Sequence, residues 1–150
     1  MATRSAIGIM HGENCKSIYA HWDGYIAHNG AILFKHYDST KTNELVSLGD
    51  VSTLAPNIGV KHYFSRLETT LSDEEYDSLY GDMCTFYGRD RGETTSFRTH
   101  SNYRSFYRNH ENCGCEYLYI MKDGIWYVDQ MKGAGLEFLS EYFINEEETN

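Results

Sequence analysis

Five of the chain's seven arginines, Arg89, Arg91, Arg98, Arg104 and Arg108, lie between Arg89 and His110, a stretch with only two acids, Asp90 and Glu93. That segment carries +3 in a chain of net −9, so the remainder sums to −12. A basic island in an acidic protein sets up a local field that attracts an anion or an acidic surface. The residue type sharpens this. A guanidinium is a planar fork that grips phosphate or carboxylate through two parallel hydrogen bonds. Tyr87, Phe97, Tyr103, Phe106 and Tyr107 are interleaved with the arginines, and a ring among them could stack on a base. The candidate ligand-binding residues are therefore Tyr87, Arg89, Arg91, Phe97, Arg98, Tyr103, Arg104 and Arg108. The competing reading has the same arginines paired with the protein's own surplus carboxylates.

A second candidate site is His21-Trp22-Asp23-Gly24-Tyr25, with two flat rings and a polar pair in five residues. Asp-Gly also suits a tight turn, around which Trp22 and Tyr25 would be core anchors. Catalytic signatures are missing: no P-loop, no G-x-G-x-x-G, no G-x-S-x-G, and no metal spacing among the seven histidines. A hydrolase or transferase would have to draw on His21 and Asp23, with Cys84 meeting them in space. Cys113-Gly114-Cys115 with His110 nearby offers part of a zinc site, but C-x-C alone falls short of four ligands at structural spacings. The expectation is no metal and no cofactor.

The elements that must position these groups follow from periodicity. Strands are expected near 3–10 and 16–21 as a hairpin turning at 11–14, near 83–87, and near 116–121 and 125–129 joined by Asp123-Gly124, the strongest hairpin signal in the chain. Helical spacing appears around Ile32–Tyr37 and Lys41–Leu48, the second stopped by Gly49. Ser72-Asp73-Glu74-Glu75 reads as a capping box ahead of the stripe Tyr76, Leu79, Tyr80. The stretch 89–100 reads as a polar loop, and Ser101–Asn109 as a helix with Tyr103, Phe106 and Tyr107 on one face and Arg104 and Arg108 on the next. Leu136, Leu139 and Phe143 suggest a C-terminal helix. Strands and helices mix without regular alternation, which predicts an α+β fold with an antiparallel sheet.

With 150 residues, 41% apolar and 15% aromatic, the chain suits one domain over 1–145 with an acidic tail at 146–150. The charge argues against general nucleic-acid binding. No stretch approaches the roughly 18 apolar residues of a membrane span, and the N-terminus does not read as a signal peptide. A cytosolic protein with reduced thiols is expected. Many aromatics over a short sheet could leave an apolar patch that self-associates, so a homo-oligomer is one expected state.

Three blocks together, 19–25 (YAHWDGY), 84–93 (CTFYGRDRGE) and 116–128 (EYLY through DGIWYV), resemble a group of small proteins of unassigned function encoded by tailed bacteriophages and prophages. The opening Met1-Ala2-Thr3-Arg4-Ser5 fits, whereas Ile26–Gly30 lacks a proline expected after Tyr25. The resemblance spans most of the chain and carries over no catalytic residues. It implies an accessory protein acting in the host cytoplasm on a host or defence factor by binding alone. Three functions are thus in view. The first is capture of a small anionic, nucleotide-like ligand on the arginine–tyrosine segment. The second is occlusion of a basic host enzyme by a DNA-like acidic face. The third is the small hydrolase or transferase built on His21 and Asp23.

Overall fold

The computed structural model describes residues 2–144; the acidic tail at 146–150 lies outside them. The α+β expectation holds. Eight strands form one sheet: β1 (Ser5–His11), β2 (Asn14–Ala20), β3 (Val51–Thr53), β4 (Thr85–Phe86), β5 (Arg98–His100), β6 (Tyr117–Lys122), β7 (Ile125–Asp129) and β8 (Leu136–Phe138). Their order is β4-β3-β2-β1-β6-β7-β8, with β5 also on β2. The sheet is mixed rather than wholly antiparallel, because β1 lies parallel to β6 and β2 parallel to β3. Burial explains the parallel join. Ser5 to Ile9 are buried without interruption, as befits a central strand covered on both faces, so the two predicted hairpins meet through their first strands.

Both hairpins turn where expected. His11 pairs with Asn14 across Gly12-Glu13, and Gly12 has φ +66°. Lys122 pairs with Ile125 across Asp123 and Gly124, whose φ values of 52° and 78° are the double left-handed signature of a type I′ turn.

Alternation along the central strands defines two layers. Ile7, Ile9, Ile18, Tyr119, Met121 and Val128 face a core closed by α1 (Ala31–His36) and α2 (Ser39–Ser47) through Leu33, Leu45 and Val46. Ala6, Cys15, Leu118 and Ile120 face α4 (Tyr103–Asn112) through Phe106. Gly8 is required there. A Cβ at that position would lie 3.0 Å from Cys15 Sγ and Ile120 Cδ1 and 3.2 Å from the Phe106 ring. Helix α3 (Asp73–Tyr80) carries the full capping box at Ser72/Glu75 and buries no residue, and its acids are exposed.

Three further expectations needed correction. The stretch 89–100 is not all loop, since Arg98–His100 pairs with Cys15–Ser17 as β5. The strand expected over 83–87 shrinks to two residues. The C-terminal helix is instead β8 followed by a 3-10 turn over Leu139–Phe143. Leu136, Leu139 and Phe143 fit helical spacing, but Tyr127, Val128 and Asp129 offer a free strand edge that residues 136–138 pair with.

Candidate functional site

The arginine island divides into spent and unspent charges. Arg89 is spent entirely on its own fold. Its Nε and Nη2 donate to Asp90 at 3.0 and 3.2 Å, Nη1 to the Ile58 carbonyl at 2.9 Å, and Nη2 to the Cys84 carbonyl at 2.9 Å. Asp90 in turn accepts from the amides of His62 and Phe86. The unit staples the loop near Ile58 to β4, so every nitrogen of the Arg89 guanidinium is engaged within the fold. Arg91 lies over the Phe64 ring, 4.9 Å from its centroid, and pairs with Glu93 at 3.0 Å. Arg98 reaches back to Asp50 with Nη1 at 2.8 Å and Nη2 at 3.3 Å, and Asp50 also accepts from the Tyr19 amide. Asp50 and Arg98 are 48 residues apart in sequence.

Arg104 and Arg108 are different. They lie one turn apart on the exposed face of α4 and have no carboxylate partner among the described residues. The helix that carries them is anchored to the fold. Asn102 caps its start by accepting from the Ser105 amide at 2.8 Å, and Phe106 and His110 anchor its buried side. Together with Arg98, Thr99, His100, Ser105 and Asn112 the two arginines line a cleft of about 630 Å³. A second cleft of about 690 Å³, reached past Lys16, His11 and Asn14, shares Thr99, His100 and Ser105 with the first. No aspartate or glutamate lines either one. In a chain with 22 acids, that is a selective exclusion. A larger cleft of about 930 Å³ lies between α1 and the β6–β7 hairpin, but its lining mixes aromatic rings with Lys35, His36 and Asp38 and has no concentration of one charge.

His100, which lines both clefts, belongs to a buried polar cluster. Ser17 Oγ hydrogen-bonds His100 Nε2 at 2.9 Å and His110 Nε2 at 2.7 Å. Ser17 and His110 are fully buried, and His110 Nδ1 has no partner among the described residues. Burial, then the charges of Arg98 and His100, push the His110 imidazole down to about 3. Burial and Arg98 lower His100 as well. Both rings are therefore held neutral beside the guanidinium groups.

The predicted aromatic partners are engaged elsewhere. Tyr103 donates to Asp129 at 2.6 Å, which with burial pushes its phenol up. Tyr87 packs against Phe64, and Phe97 packs on the α1/α2 core beneath the Lys16 ammonium. None of Tyr87, Phe97 and Tyr103 lines the basic clefts. The cleft-lining residues that the sequence did not reveal are those of β5, Thr99 and His100. The alternation of Arg98, Thr99 and His100 was the available signal, overshadowed by the polar character of the segment.

The second candidate is a folded corner. Asp23 takes φ 56°, and a Cβ on Gly24 would sit 2.7 Å from the Thr3 carbonyl oxygen and the Ser5 Cβ. Buried Asn29 ties the corner by donating to the Trp22 carbonyl at 3.2 Å. Trp22 and Tyr25 are 44% and 41% exposed, so they are not core anchors. His21 is hydrogen-bonded to Tyr19 at 2.7 Å, and no bond joins it to Asp23 among the described residues. Cys84 is fully buried against Tyr37 and the backbone of Ala55, its thiol raised by burial. The proposed meeting of His21, Asp23 and Cys84 is not formed. Among the described residues no three His, Cys, Asp or Glu side chains are grouped to hold a metal, and no helix is long and apolar enough to cross a membrane.

Comparison with known proteins adds no relative: no protein-family model, no curated protein and no solved structure matches this chain.

Proposed function

We propose that this protein is a binding protein without catalytic activity that captures a small, phosphate-bearing anion in the cleft between β5 and α4, and thereby withholds it from, or blocks, a host or defence factor. The observation that carries this reading is the pairing of Arg104 and Arg108, one helical turn apart and without acidic partners among the described residues, over a lining that contains no carboxylate. Arg98 adds field from the cleft wall while Asp50 fixes its direction. Because no phenyl, phenol or indole ring lines the cleft, recognition rests on charge and hydrogen bonding to phosphate rather than on stacking of a base.

Calorimetry tests this with inorganic phosphate, mononucleotides, cyclic dinucleotides and an uncharged nucleoside. Phosphate-bearing ligands should bind and the nucleoside should not. Hydrogen bonds to charged groups contribute about 1.5–3 kcal/mol when made well, and exposure reduces this, so Arg104→Ala with Arg108→Ala should weaken binding at least about tenfold. Silence across the whole panel would end the reading.

The acidic surface supports a second one. The exposed acids Asp73, Glu74, Glu75 and Asp77 project from a helix that buries nothing, a face suited to a basic protein partner. Capture of a nucleic-acid-binding enzyme from host lysate, weakening as salt rises, would favour it.

A further inference from the structure

We propose that Cys113 and Cys115 form a redox-active dithiol that exchanges with low-molecular-weight disulfides, closing a Cys113–Cys115 disulfide across Gly114. The inference is independent of anion capture.

The backbone brings the two residues together. Helix α4 ends in a Schellman motif: the Cys115 amide donates to the His110 carbonyl at 3.0 Å and the Gly114 amide to the Glu111 carbonyl at 3.0 Å. Gly114 supplies the left-handed residue, φ +81°, that this cap requires. A turn of helical geometry keeps residues i and i+2 within the roughly 4.4–6.8 Å at Cα that a disulfide spans, and both cysteine side chains pack on the same cluster beneath α4. A run of C-x-C in an extended strand would lie near the upper limit instead.

The two sulfurs also have distinct surroundings. Cys113 is partly exposed, whereas Cys115 is only 7% exposed. Arg4 covers the turn. Its Nη1 donates to the Cys113 carbonyl at 3.3 Å and stands 3.0 Å from where a Gly114 Cβ would be. Burial, then the neighbouring Cys113, push the Cys115 thiol up to about 12, against the opposing pull of Arg98 and Arg4. The exposed sulfur is thus the attacking one and the inner sulfur the resolving one. The other two cysteines are not placed for this role. Cys15 is fully buried under Phe106 and Gly8, and Cys84 is held by Tyr37 and Ala55.

Atoms and electrons balance in two steps. The Cys113 thiolate attacks one sulfur of a disulfide RSSR, forming Cys113–S–S–R and expelling RS⁻. Cys115 then attacks the Cys113 sulfur, expelling a second RS⁻, and the two protons of the protein thiols end on the two RSH products. The protein loses two hydrogens and RSSR gains them.

Intact-mass spectrometry of the full chain in oxidised glutathione tests this, with peptide mapping to place the bond. The wild type should lose two hydrogens at a Cys113–Cys115 link and regain them in excess reduced glutathione. Cys115→Ser should stop at a glutathione adduct on Cys113. Cys113→Ser should react at least about tenfold more slowly, with its circular dichroism checked against the wild type. No loss of hydrogens in the wild type, or a link mapped to Cys15 or Cys84, would overturn the proposal. Because the decisive measurement is made on the wild type, it stands even where a variant fails to fold.

Discussion

Acid should unfold this protein through His110, and the effect can be isolated. The ring is buried on α4 against Phe106, is hydrogen-bonded to Ser17 of β2, and faces Arg98 and His100 of β5. Its folded value is about 3 against an ordinary 6.5. A base depressed in the fold stays neutral while its unfolded counterpart takes up a proton. Stability from this group is therefore present above pH 6.5 and lost progressively as pH falls toward 3. Between pH 7 and pH 5 the unfolded chain gains nearly one proton that the folded chain refuses, a loss of about 2 kcal/mol. His21 and His100, also lowered, add to the total in the same direction. The substitution His110→Gln retains a hydrogen-bonding group near Ser17 but cannot titrate. Urea melts of both proteins at pH 7 and pH 5 should show the wild type losing about 2 kcal/mol more than the variant over that interval. Equal losses in the two proteins would refute the argument, because the substitution removes the His110 titration itself.

Other perturbations separate structural from ligand-facing residues. Gly8→Ala drives a methyl into Cys15, Ile120 and Phe106 and should cost about 1–3 kcal/mol in urea melts. Arg89→Ala leaves the fully buried Asp90 carboxylate without its cation and should cost roughly 3 kcal/mol, whereas Arg104→Ala should leave stability within about 0.5 kcal/mol; equal effects by thermal melting would contradict the division of the island. Asp50→Asn removes the charge that Arg98 answers, so calorimetry should register tighter phosphate binding than in the wild type, alongside a lower melting temperature.

Much of the fold was legible because its signals are local. Asp123-Gly124 fixes a type I′ turn by its own backbone preference, and Ser72 with Glu75 closes a capping box within four residues. The helix expected over Ser101–Asn109 forms over Tyr103–Asn112, readable because Phe106 and its neighbours repeat at the helical period. What failed was non-local. Residues 136–138 became a strand because β7 had an open edge, and 98–100 because β2 did. Neither edge can be seen from the segment that fills it.

The same distinction governs the site. The density of arginine between 89 and 108 marks a basic segment, but charge density does not reveal which guanidinium groups are answered within the fold. Arg89 finds its carbonyl partner at Ile58 and Arg98 its carboxylate at Asp50, separations over which sequence carries no pairing rule. The helix resolves what residue types alone could not. Phe106 and His110 commit one face of α4 to the core, and at 3.6 residues per turn Arg104 and Arg108 must then stand on another. The buried face thus selects which arginines remain exposed, and the basic character of the cleft is a consequence of where the buried anchors of that one helix fall.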